Sequence, residues 1–211
     1  SKLGLSAIGG EKLDVSVVCG TATYTATVVL EGTSRLVALD STQSIGIEGH
    51  PDNVAPAFYG SMVVGASDEE RFEHVKIPVS DEIEFIALIP DFPLSTADAR
   101  AVLPRAYTKE QAVFNVSRVA LMVSSMMSGN FNALSIAMQD EIHQPYRKIL
   151  IPGMEYLLKK SVELGCYGSY LSGAGPTLML MNRKGNEVIE PLKDIVKSLK
   201  NYWLIKPLDV D

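Results

Sequence analysis

An α+β fold is what this chain of 211 residues predicts, and three observations lead there. Strand-like and helix-like stretches are mixed along the sequence without strict βαβ alternation. Glu84-Phe85-Ile86-Ala87-Leu88-Ile89 is a near-continuous apolar run ended by Pro90, the pattern of a central strand. From Lys109 to Met127, Ala112, Val113, Val116, Val119, Ala120, Val123 and Met127 recur at three- and four-residue steps, the spacing of a helix with an apolar stripe.

The remaining elements follow in order. Leu13 to Val18 alternates, and Thr21 to Leu30 is dense in Thr, Val and Tyr, so two strands are expected. Glu31-Gly32-Thr33-Ser34 is a turn signal, with a further short strand over Arg35 to Leu39. Asp52 and Asn53 can N-cap a short helix over Val54 to Tyr59. Strands are expected over Tyr59 to Ala66 and Val75 to Pro78, with a charged turn between them. His74 reads as a residue of a surface strand.

A new unit starts near Asp81. Thr108 is the natural N-cap of the long helix and Gly129 its stop. A second helix is expected over about 131–142. A third spans Pro152 to Leu164, with Pro152 in its first turn and Gly165 ending it. Cys166 to Leu171 and Thr177 to Met181 read as strands, Val188 to Leu199 as a helix, and Trp203 to Ile205 as a last strand. Met122, Met126, Met127 and Met138 suit a helix core.

Composition narrows the function classes. The chain is 46% hydrophobic and 21% charged, with a net charge of −6, as in globular proteins. Lys and Arg are dispersed, so no basic stripe exists for a nucleic-acid backbone. No apolar run approaches the roughly 18 residues that span a bilayer. The N-terminus carries no signal-peptide pattern, and Cys19 and Cys166 lack metal-type spacing. A cytoplasmic protein with two free thiols is the expectation.

Four short segments concentrate the chemistry. Glu48-Gly49-His50-Pro51-Asp52-Asn53-Val54-Ala55-Pro56 sets a His, an Asp and an Asn beside two prolines. Alone it reads equally as a helix start. Leu94-Ser95-Thr96-Ala97-Asp98-Ala99-Arg100 reads alone as a capped surface turn. His143-Gln144-Pro145-Tyr146-Arg147 is a third cluster, and alone would be surface decoration. Leu171-Ser172-Gly173-Ala174-Gly175-Pro176-Thr177 is a loop of small residues, where the backbone can approach a ligand closely.

Together the four segments resemble motifs of the homoserine kinases, within the GHMP family of small-molecule kinases. The resemblance covers about residues 47–211. It implies a two-domain GHMP-kinase-like architecture: a reduced ribosomal-S5-like N-terminal domain over 1–80, with 1–46 atypical, and a ferredoxin-like C-terminal domain over 81–211. It implies ATP-dependent phosphorylation of the L-homoserine hydroxyl in threonine biosynthesis, with ATP and Mg²⁺ as cofactors. His50, Asp52, Asn53, Arg100 and Arg147 would bind substrate. Two planar guanidiniums suit an amino-acid carboxylate, which argues against a mevalonate-type relative. Thr96 would sit near the substrate hydroxyl, and Thr96 and Arg147 are the catalytic candidates. Ser172, Gly173, Ala174 and Gly175 would face the phosphoryl group. No carboxylate is assigned to Mg²⁺; Glu48 is near in sequence only. A homodimer is implied as well.

The family's nucleotide loop, of the type Pro-x-x-x-Gly-Leu-Gly-Ser-Ser, is not found in residues 1–46. Lys2-Leu3-Gly4-Leu5-Ser6-Ala7 is similar to part of it but lacks the second Gly. The expectation is therefore a truncated, rearranged or engineered kinase, or one whose N-terminal sequence is incompletely represented. The alternative is a non-catalytic module that binds an amino acid or dimerises without ATP.

Overall fold

The computed structural model describes residues 12–19, 22–29, 55–56, 59–67 and 72–210. The chain forms two compact units, Ser1–Ile77 and Pro78–Asp211.

In the first unit β1 (Lys12–Cys19) and β2 (Ala22–Val29) pair antiparallel, as the alternating and β-branched stretches predict. The expected turn over 31–34 and strand over 35–39 lie outside the described residues. Residues 55, 56 and 59 are helical. β3 (Met62–Ser67) and β4 (Phe72–Ile77) form a second antiparallel pair. β4 begins three residues before the expected strand, because Phe72 and His74 join its ladder. His74 is half-buried rather than a bare surface residue, stacking on Tyr59 at 4.0 Å and lying 5.5 Å from Phe72.

The second unit is built on four antiparallel strands in the order β6-β7-β5-β8. They are β5 (Ile83–Pro90), β6 (Gly168–Leu171), β7 (Leu178–Arg183) and β8 (Trp203–Leu208). The apolar run of β5 lies between β7 and β8, which explains why both of its faces are apolar. Pro207 is tolerated because β8 is an edge strand.

Helix α5 (Met154–Glu163) connects β5's side of the chain to β6 and packs on β6 and β7. Helix α6 (Ile189–Lys197) lies between β7 and β8 in sequence and packs on β8 and α5. This βαββαβ order with its strand arrangement is ferredoxin-like. Ile86, Leu88, Leu157, Leu178, Leu180 and Leu192 are fully buried in its core. Cys166 is a free buried thiol in the same core, and burial pushes it up to about 12, so it is not a nucleophile at neutral pH.

Between β5 and α5 the chain inserts four helices: α1 (Thr96–Ala101), α2 (Lys109–Ser128), α3 (Leu134–Ala137) and α4 (Gln144–Arg147). Helix α2 starts with a Thr108–Gln111 capping box and stops at Gly129 in the left-handed region, where a glycine has no steric cost. Its packed face carries Ser125 and Met126, while Val113, Val116, Val119 and Met127 point outward, 59–69% exposed. The expected core role of Met127 is thus overturned: α2 is apolar on two faces, and spacing alone does not say which one packs.

The expected helix over 131–142 is broken. A 3-10 turn (Phe131–Ala133) and α3 end at Met138. Asp140 then accepts the backbone N–H groups of His143 and Gln144 and starts α4.

Gly168 shows how tightly α3 sits on β6. A Cβ there would overlap the Met138 sulfur and fall 3.1 Å from the Leu134 carbonyl oxygen. The thioether can move but the backbone cannot. Gly168→Ala is expected to destabilise the protein by about 1–3 kcal/mol, read as a lowered urea midpoint at unchanged slope.

Candidate functional site

Ser95 caps α1. Its hydroxyl accepts from the Asp98 N–H at 3.0 Å and donates to the Asp98 carboxylate at 2.6 Å. The segment read alone as a turn is therefore a short helix. Thr96 and Arg100 stand four residues apart on it, hence on one face, and both are exposed. Ala99 between them is buried, which fixes the helix against the unit.

Arg147, at the end of α4, ties this helix to the small-residue loop. Its Nε donates to the Ala99 carbonyl at 3.1 Å, and its Nη1 donates to the Gly173 carbonyl at 2.8 Å. Nη1 also lies 3.4 Å from His143 Nδ1. A guanidinium has five N–H groups in a fixed fork, and among the described residues the Nη2 pair carries no hydrogen bond. Burial lowers the Arg147 pKa, Asp140 and Tyr107 oppose that, and the neighbouring positive Arg100 lowers it further. Arg147 is still a cation at neutral pH. Arg100 and Arg147 thus feel each other electrostatically, and like charges that do so attract anions.

The loop itself is closed by Ser172 N–H to Thr177 O and Gly175 N–H to Ser172 O, both 2.9 Å. Gly175 has φ +88°, and a Cβ there would lie 2.9 Å from both Ile151 Cδ1 and Leu171 Cδ1. Gly173 has φ +53° with open space around it. The Gly175–Pro176 peptide is cis. Just before the loop, Leu171 N–H donates to Gln144 Oε1 at 3.0 Å.

Behind Arg147 lies a polar network absent from the sequence expectations. The Asp140 side chain is 7% exposed. Its Oδ1 accepts from Asn115 Nδ2 at 2.6 Å, and its Oδ2 from the His143 and Gln144 N–H groups at 2.7 and 2.6 Å. Burial raises the Asp140 pKa, but these hydrogen bonds outweigh it, and the carboxyl sits below its ordinary range. His143 is lowered by burial, partly opposed by Asp140, and lowered again by Arg147. It is therefore neutral at pH 7, so the hydrogen bonds rather than a charged imidazole hold Asp140 ionised.

Of the predicted residues, Arg147, Gly173 and the helix bearing Thr96 and Arg100 are brought together. Ser172, Ala174 and Gly175 belong to the same loop. His50, Asp52 and Asn53, with Glu48, lie outside the described residues. Asp140 and Asn115 were missed, and Gln144 was named only within its cluster; the available signal was an Asp three positions before His143, at helix-capping distance. A cavity of about 320 Å³ shares Asp140 and Gln144 with this network but none of the predicted site residues. Among the described residues no group of three or more His, Cys, Asp or Glu could hold a metal ion. No helix among them is long and apolar enough to cross a membrane.

Comparison with known proteins places the chain. Residues 122–201 match the family described as GHMP kinases C terminal. The homoserine kinase of Clostridium kluyveri is 43% identical over 166 residues, 78% of this chain and 55% of that protein. That of Clostridium beijerinckii is 46% identical over 169 residues, 80% of this chain and 57% of that protein. The chain thus spans little more than half the length of these curated relatives. The crystal structure of homoserine kinase from Cytophaga hutchinsonii aligns with a TM-score of 0.72 at 25% identity, covering 82% of this chain and 59% of that one. The chain thus carries a GHMP kinase C-terminal domain and is homologous to homoserine kinases over most of its sequence.

Proposed function

We propose that this chain serves the phosphorylation of L-homoserine, with ATP as phosphoryl donor, as its homologues' names suggest. The observation that carries the reading is the Arg147 bridge, which joins the helix of Thr96 and Arg100 to the Gly173 loop. Arg100 and the Nη2 edge of Arg147 take the substrate carboxylate. A charge-assisted, two-oxygen grip selects an amino acid over a neutral alcohol. Thr96, one turn from Arg100, orients the hydroxyl. Ser172, Gly173, Ala174 and Gly175 face the phosphoryl group, where backbone N–H groups can approach it closely.

The resemblance adds His50, Asp52 and Asn53 as substrate ligands and assigns residues 1–80 and 81–211 to N- and C-terminal GHMP domains. It also implies Mg²⁺, a place in threonine biosynthesis and a homodimer, and the cysteine usage points to a cytoplasmic setting. Among the described residues no group of three or more His, Cys, Asp or Glu stands together to hold Mg²⁺. A second reading is an amino-acid-binding module without catalysis.

Phosphoryl transfer from ATP to L-homoserine, measured in wild type and Arg100→Met, separates the two. A kinase gives homoserine-dependent ADP release, with KM for homoserine raised about 100-fold in the variant and kcat changed far less. Homoserine binding without turnover favours the module. ADP release that ignores homoserine sinks both.

A further inference from the structure

The imidazole of His143 lies between two groups of opposite character. Its Nε2 is 3.7 Å from the Asp140 carboxylate, and its Nδ1 is 3.4 Å from Arg147 Nη1. A guanidinium only donates and an ionised carboxylate only accepts. One neutral form suits both neighbours: the proton on Nε2, its positive end toward the carboxylate at a distance longer than a hydrogen bond, and a bare Nδ1 accepting from Arg147.

We propose that Asp140 and His143 are positioning residues for the anion site: Asp140 holds His143 as the Nε2–H tautomer, and the bare Nδ1 orients the Arg147 guanidinium so that its Nη1 reaches the Gly173 carbonyl. The proposal rests on the reading of Arg147 as a substrate ligand. It goes beyond that reading in naming what sets the arginine's orientation.

The surroundings fit this role. Asp140 is immobilised by Asn115 and by the two N–H groups that open α4. Asn115 in turn accepts from the Glu141 N–H at 2.9 Å. Gln111 of α2 donates to the Tyr146 hydroxyl at 3.1 Å, fixing α4 from a second point. Among the described residues, the charged groups acting on the imidazole are Asp140 from the preceding turn and Arg147 from its own helix. Arg100 of α1 and Tyr107 act on Arg147 behind it. The lowered His143 pKa agrees with a neutral ring.

Protonation would place an Nδ1–H against the Arg147 N–H, turning an acceptor into a competing donor. Homoserine affinity should then fall as pH drops below the ordinary histidine range. Gln at this position offers a neutral acceptor that does not titrate; Ala offers none.

Two measurements on the whole chain test this. The first is ¹⁵N NMR of the His143 ring, with solvent exchange of the Arg147 Nε–H. The expected result is a neutral Nε2–H tautomer at pH 7.5, with Arg147 exchange at least about tenfold faster in His143→Ala and slow in His143→Gln. The second is L-homoserine affinity against pH. Wild type should lose affinity as pH falls from 7.5 to 5.5, by less than the roughly tenfold that an unshifted imidazole would give because the ring is lowered, while His143→Gln stays flat over the same range. An Nδ1–H tautomer, or Arg147 exchange unchanged in His143→Ala, overturns the proposal. So does a wild-type affinity profile shared by His143→Gln. If homoserine binds at no pH, the substrate reading fails, and the NMR result still decides the positioning claim.

Discussion

Arg147→Ala is expected to weaken L-homoserine binding by at least about 100-fold. The substitution removes a direct contact and also the brace between the Ala99 and Gly173 carbonyls. Hydrogen bonds from a charged donor contribute roughly 1.5–3 kcal/mol each, and tenfold in affinity is about 1.4 kcal/mol. Losing the ligand contact and the brace together therefore exceeds two decades. Arg147→Lys is the informative control. It keeps the charge, but an ammonium on a flexible stem cannot span two carbonyls and still present a paired edge. Lys should recover less than tenfold of the loss, read by calorimetric titration. Wild-type affinity in the Lys variant would mean that charge alone suffices and the brace has no role.

The largest stability effect is expected at Leu157. It is fully buried on the face of α5 that meets the sheet, in one core with Leu88, Leu178 and Leu180. Leu157→Ala should cost about 2–5 kcal/mol, transfer and cavity combined. Domains of this size are typically stable by only about 5–15 kcal/mol. Urea unfolding should show a much lower midpoint. Lys159→Ala, on the solvent side of the same helix and 3.8 Å from Glu163, should stay within about 0.5 kcal/mol of wild type. Similar losses at both positions would show that α5 does not bury the face described.

Much of the second unit was legible because its elements follow from local rules. The apolar run of β5, the Thr108 cap and the Gly129 stop each carry their own physical reason, and each stands where the sequence puts it. The break at 138–143 did not show. An Asp140 side chain that packs inward and captures two backbone N–H groups is a tertiary event, and helix periodicity continues unaffected through it. Met127 misled for a related reason: α2 has two apolar faces, and packing on α3 selects one.

The site was half legible. Thr96, Arg100, Arg147 and the 172–175 loop came from motif resemblance, which supplies residue types but no geometry. What joins them is a side chain donating to backbone carbonyls 48 and 26 positions away. Any residue offers a carbonyl, so no residue type announces such a bond. Asp140 and Asn115 were missed likewise, because the motif around Arg147 was read from His143 onward.

The central claim is that the second unit keeps a carboxylate-binding pair in Arg100 and Arg147. Its most direct measurement is calorimetric titration of the intact chain with L-homoserine beside 3-amino-1-propanol, the same molecule without its carboxylate. Saturable binding of homoserine, with the analogue at least about 100-fold weaker, is the predicted result. Equal affinity for the two, or binding of neither, would contradict it.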